Sequence, residues 1–345
     1  MKHPSHLTLR LWVLLFLPIL PGSLRAEQVN LELRIRPGAE AVSFPLQHAP
    51  LLQGRVASVP SSLSLQITPS GDALAGSSPL YVTVTGPAGH PLEGERMELD
   101  EVASRAAGNG QLVIEPSPLN TLPEVDSRWI DAECEVVPHW TLQDTLGELI
   151  RRRLSSPWPG GTPTLWLPCG FGVLQKITPR LTVASPPRLV WTFDRDKLWP
   201  AEKTIVPPGQ AFLIKSSHPF GFGFSLGGER RLTPCRVPLG AGPNLVGYPF
   251  PADLRLGVDW GRAADGLVAS PSPTLCDRLQ MYSGEDLTMF GFHSSGRWYR
   301  ILGYGTSSVR WDLSSAPLDI IPVGYGFVLF KLKPDPGHVF RPPQP

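Results

Sequence analysis

The residue types able to do chemistry are present but scattered. Beyond residue 26 the histidines are His48, His90, His139, His218, His293 and His338. No two stand four apart, the helical spacing that would turn both imidazoles toward one metal ion. A serine nucleophile needs a G-x-S-x-G elbow. The nearest stretches, SGEDL at Ser283 and HSSGRW at His293, lack it and read as hairpin turns. Asp194 with Asp196, Asp253 with Asp259, and Glu285 with Asp286 are close acidic pairs that a glycosidase could use. Exposed turns explain them equally well. GFGFSLGG at Gly221 has no following Lys-Ser/Thr and is no phosphate cradle. Cys134, Cys169, Cys235 and Cys276 contain no C-x-x-C, so they are read as buried thiols or as one or two disulfides, with three pairings open. These residues predict no catalytic constellation, no metal and no cofactor.

Recognition is the other chemistry that these side chains allow. Trp158, Trp199, Trp260 and Trp311 each adjoin Pro, Gly or Arg in turn-like surroundings. Such indoles could stack on sugar rings, with Tyr248 beside them; the competing reading is a loop aromatic capping the core. Nucleic acid is disfavoured. Net charge is +1, and basic residues are not interleaved with aromatics. Arg151–Arg153 form the one dense basic run, suited to a helix C-terminus.

The elements that must hold these residues are mostly strands. Gly (34) and Pro (40) punctuate the chain while 41% of it is hydrophobic, a composition for short strands joined by turns. Lys2, Arg10, the apolar run Leu11–Leu20 and PGSLRA form a secretory leader over residues 1–26. Its apolar run is too short to span a bilayer, so export to the periplasm or beyond, with no transmembrane span in the mature chain, is the expectation. QVNLELRI, SLSLQI, YVTVTG and WIDAECEVV alternate with a period of two. They predict a small N-terminal β-barrel or sandwich over 27–137. PHWTLQDTLGELIRRRL reads as the one helix, with Thr141 and Asp144 as its capping pair. Beyond it, TLWLPCG is echoed by RLQMYSG, LVWTF by RWYRI, and PPGQAFLIK by PVGYGFVLFK, all at comparable offsets. Two tandem β-rich modules, 138–240 and 241–345, are therefore expected. Trp191 matches Trp298 and Phe212 matches Phe327, while NLVGYPFP opens the second module opposite CEVVPHWT, with Trp140 against Phe250.

On PHWTLQDTLG, G-x-NLVGYPFP from Gly242, and VGYGFVLF, the chain resembles a family of uncharacterised exported β-rich proteins of Verrucomicrobia-type bacteria. That resemblance covers Tyr81 to the C-terminus and implies fold and export but no catalytic residues. The expectation is an exported structural or adhesive envelope protein, meeting cell-wall or extracellular polysaccharide or envelope proteins. A carbohydrate-binding module is the alternative and a glycoside hydrolase the third reading.

Overall fold

A computed structural model describes residues 27–68, 74, 79–152, 163–168, 174–181, 189–193, 201, 203–216 and 221–343. Residues 1–26, where a leader is expected, lie outside them, as do Trp158, Trp199, Cys169, Asp194 and Asp196. The architecture is mostly β, in several antiparallel sheets with two short α-helices. No helix among the described residues is long and apolar enough to cross a membrane.

Two of the sheets run in the same order. In the first, Gly38–Ser43 pairs with Ala211–Ser216, then come Thr164–Pro168, Leu174–Leu181 and Leu189–Phe193. In the second, Gly242–Gly247 pairs with Gly326–Lys331, followed by Arg278–Ser283, Asp286–Phe292, Trp298–Leu302 and Arg310–Asp312. Registers correspond as well as order. Phe212 lies opposite Val42, as Phe327 lies opposite Val246. Trp191 pairs with Pro179, as Trp298 pairs with Phe292. All four aromatics are fully buried, because each faces inward from its strand onto its own core.

The strand opening the first module is not where its sequence pattern placed it. Gly38–Ser43 holds the position that Gly242–Gly247 holds in the second, so NLVGYPFP faces EAVSFPLQ (Glu40–Gln47) and not CEVVPHWT. Trp140 corresponds to Leu254 and not Phe250, since Trp140 pairs with Val206 as Leu254 pairs with Ile321. The boundary at 137 changes with this. Gln28–Ile35 pairs with Phe222–Arg230, so the first strands belong with 138–240.

Between Gln47 and Trp140 a separate six-stranded sheet intervenes, in the order Arg96–Glu98, Leu80–Gly86, Glu133–Pro138, Leu52–Ser61, Ser64–Thr68, Gln111–Val113. It has its own core around Leu65, Val82, Val84, Met97 and Trp129. Its first and last strands in chain order, Leu52–Ser61 and Glu133–Pro138, pair directly, Leu52 with Val136, so its two ends emerge side by side. That geometry lets a whole domain sit within a loop of another. Asp100 caps its short helix Glu101–Ala107 by accepting from Ala103 N at 2.9 Å. Of the inward face expected in WIDAECEVV, Ala132, Cys134 and Val136 are buried, whereas Ile130 is exposed.

The second helix, Leu142–Arg152, opens as its sequence dictates. Asp144 N donates to Thr141 Oγ1 at 3.2 Å and Thr141 N to Asp144 Oδ2 at 3.1 Å, closing a reciprocal cap. Leu142 and Leu146 enter the first module's core. The side chains of Leu149 and Ile150 lie outside the described residues.

The two module sheets meet through reciprocal contacts. Ser43 N donates to Gly324 O at 2.9 Å, and Gly247 N to Gly209 O at 3.0 Å. Ala41, Ala211, Leu213, Leu245 and Val328 form a small apolar cluster between the sheets. Approach is so close that a Cβ on Gly247 would fall 2.0 Å from that of Ser43, and one on Gly326 2.4 Å from that of Ala211. Small residues at these matched positions are therefore a packing requirement.

Candidate functional site

Of the aromatics singled out as exposed platforms, two are core residues. Trp260 is 1% exposed, stacked on Trp298 at 6.2 Å, and its Nε1 donates to His338 Nε2 at 2.7 Å. His338 Nδ1 lies 2.9 Å from Asp335 Oδ2, and this bond holds the Asp335 carboxyl below its ordinary range. The Trp-His-Asp chain thus satisfies polar atoms inside the second core, and Trp260 has no face for a sugar. Tyr248 is buried too. Its hydroxyl donates to Arg341 O at 3.0 Å, and burial pushes its pKa up, so it is placed in the core and not beside a ligand. Both residues sit beside turn formers, but the turn folds inward over the core, which local spacing does not encode.

Trp311 keeps part of its ring exposed. It lies on the edge strand Arg310–Asp312, donates from Nε1 to Pro271 O at 2.7 Å, and meets His293 edge-on at 5.2 Å. His293 is likewise perpendicular to Tyr299, at 5.6 Å. Cys134, Cys235 and Cys276 are buried free thiols. Asp259 is gripped by Arg255 at 2.7 Å, and Asp253 accepts from Val323 N at 2.9 Å, so both carboxylates serve turns. Among the described residues no group of three or more His, Cys, Asp or Glu is placed to hold a metal ion.

The recess that stands out was not marked by any motif. A cavity of about 310 Å³ opens where three units meet. Leu167 and Leu174 come from the first module, Leu245 and Val328 from the second, and Pro118 with Leu119 from the inserted domain. None of the described residues lining it is ionisable or aromatic; Gln175 and Gln210 contribute amides, and several prolines contribute rigid walls without N–H donors. Asn244 is held away from solute chemistry, its amide donating to Gly240 O at 2.8 Å and Gly242 O at 3.0 Å and accepting from Gly240 N at 2.8 Å. Such a site can bind and orient. Among its described lining the polar side chains are the amides of Gln175, Gln210 and Asn244 and the hydroxyl of Thr204.

A buried polar junction fixes the third wall. Arg96 donates to Leu119 O at 3.0 Å and to Pro208 O at 3.2 Å, tying the inserted domain to the turn that carries Pro207 and Gln210. Glu98 lies 3.5 Å from Arg96 and 2.5 Å from His139 Nε2. Burial pushes the Glu98 carboxyl up, but His139 and Arg96 outweigh it and hold the group below its ordinary value. Arg231 donates to Tyr81 Oη at 2.8 Å, and Arg236 reaches Glu95 at 3.2 Å. His139, just before the helix cap, is wholly buried in this network.

Comparison with known protein families, curated proteins and solved structures found no match.

Proposed function

We propose that the chain is an exported, non-catalytic recognition protein of the cell envelope, structural or adhesive in role, and that the groove between its modules is where it holds its ligand. The observation that carries this reading is the groove itself: a concave, mostly apolar site with a few polar groups, assembled from three units, with no ionisable group among its described lining residues. The leader-like N-terminus supports export. We further propose that the two modules descend from one duplicated unit, the first interrupted by an inserted domain; matched strand order and register support it. The test of the groove is Leu119→Arg, which projects a cation into it. An apolar fluorescent dye, anilinonaphthalene sulfonate, is expected to bind the parent chain saturably and the variant at least about tenfold more weakly. Equal binding by both would remove the groove from consideration.

Carbohydrate binding is the second reading, favoured by the partly exposed Trp311 with His293 and Tyr299 at the outer edge of the second sheet. A glycan array should then show signal that Trp311→Ala abolishes. An array blank for the parent chain would end that reading.

A further inference from the structure

One face of the second sheet carries an aromatic row built around a cation with no anion beside it. Arg278 lies opposite Phe330 on one neighbouring strand and opposite Gly291 on the other, and Gly291 lies opposite Tyr299. Paired residues point to the same side of a sheet, so these four positions share a face. They cross four adjacent strands, about 14 Å at the usual strand spacing. Gly291 has no side chain, and the ring of Trp311 takes its place: a Cβ there would fall 2.7 Å from Cη2 and 2.8 Å from Cζ3 of the indole. Trp311 therefore lies between Arg278 and Tyr299. His293, two residues along from Gly291, meets both Trp311 and Tyr299 edge-on. The opposite face of the same strands is core, with Leu279, Phe292, Trp298 and Leu329 buried.

Arg278 is the member of the row whose bonding is incomplete. Its guanidinium carbon lies 5.1 Å from the Tyr304 ring centre and 5.7 Å from that of Phe330, a cation held against two aromatic faces. Its Nε is buried without a hydrogen-bond partner, and among the described residues no carboxylate pairs with the side chain. The acids next in the chain to this row are engaged elsewhere, Asp277 with Lys331 at 3.0 Å and Asp312 with Ser314 and Ser315. The rings keep accessible area. Tyr304 is 44% exposed, and Trp311, Tyr299 and Phe330 are partly so. Trp311 is held in place through its bond to Pro271 O. His293 Nδ1 accepts from Ser295 N at 3.1 Å, which places the proton of the neutral ring on Nε2. That Nε2 is unburied and has no partner among the described residues, leaving a donor beside the indole.

We propose that this face binds an acidic polysaccharide, with sugar rings stacked on Trp311 and Tyr299, a uronate carboxylate paired with Arg278, and a hydroxyl accepting from His293 Nε2. This deepens, and rests on, the carbohydrate reading of Trp311 given above. Ring faces match the apolar C–H side of a sugar. The unpaired guanidinium between them selects an anion over a neutral sugar, because a charge-assisted bond to a carboxylate is about twice as strong as a neutral one. Nucleic acid would need a series of cations along its phosphates, and a net charge of +1 supplies no such field.

The test uses the full chain and calorimetry with oligogalacturonate, its uncharged methyl ester, and polyglutamate. Oligogalacturonate is expected to bind saturably and the ester at least about tenfold more weakly. Arg278→Gln should erase that difference, and Trp311→Ala should weaken both sugars at least about tenfold, with the fold of each variant checked by circular dichroism. Equal binding of acid and ester by the parent chain would overturn the acidic assignment and leave the carbohydrate reading standing. That comparison needs no variant, so it holds even where Arg278→Gln does not fold. An undiminished acid preference in a folded Arg278→Gln would also overturn the proposal, as would polyglutamate binding as tightly as oligogalacturonate, which would show that charge alone suffices. Binding of neither sugar would overturn it too, and a blank glycan array would then sink the carbohydrate reading with it.

Discussion

Phe212 and Phe327 illustrate what a single side chain contributes here. Each is fully buried on a strand that follows a Pro-x-Gly turn, Gly209 and Gly324 taking φ values of 77° and 79° that suit glycine. Truncating either to alanine should cost about 3–5 kcal/mol, because the void cannot collapse in a close-packed core. Urea unfolding of Phe212→Ala and Phe327→Ala reads this directly; a loss below 1 kcal/mol in either (about the Ile→Val scale) would contradict the packing. The thiols give a second residue-scale prediction. Burial pushes Cys134 up to about 12 and Cys276 to about 11 from an ordinary 9.0. A raised folded value means that the contribution to stability is intact below the ordinary value and is lost as pH rises through the folded one. Both should therefore resist dithionitrobenzoate at neutral pH until denaturant is added. Rapid native labelling of either would show that the core is open there. Trp260 and Tyr248 carry the same lesson: residue type marked them as binders, while burial among other aromatics makes them core.

At the scale of elements, the opening strand of the first module shows what a linear pattern hides. EAVSFPLQ and NLVGYPFP share the Val-x-aromatic-Pro core, Val42-Ser43-Phe44-Pro45 against Val246-Gly247-Tyr248-Pro249. That signal was available, but the inserted domain separates it from the rest of its module, so uniform offsets pointed to CEVVPHWT instead. The same strands predict a sharp steric limit. Gly247→Val should destabilise by about 1–3 kcal/mol or more through overpacking against Ser43, whereas Ser43→Gly in that background should recover part of the loss. Urea midpoints of the single and double variants measure it. Simple additivity would mean that the two strands do not touch as described.

At the scale of the molecule, the inserted domain is joined to the modules through buried charge. Glu98, Arg96 and His139 are each at most 4% exposed, and Glu98 titrates below its ordinary 4.5. A depressed carboxyl contributes stability that is present above the unfolded value and lost as pH falls through the folded one. Acid below about pH 4.5 should accordingly weaken the junction first, seen as faster hydrogen exchange around Leu119 and Pro208 before the sheets open. Uniform acid unfolding, with the same profile in Glu98→Gln, would contradict this. Because the inserted sheet has its own core and adjacent ends, a fragment spanning 49–138 should melt cooperatively by itself. By itself the sequence determined the mostly β class and the helix cap at Thr141, since each depends on neighbours within one element. Only the tertiary structure decided which strand opens the first module, which aromatics lose their exposed face, and that an apolar groove exists. Those outcomes depend on residues far apart in the chain, such as Leu119, Leu174 and Leu245, which meet only in the folded molecule.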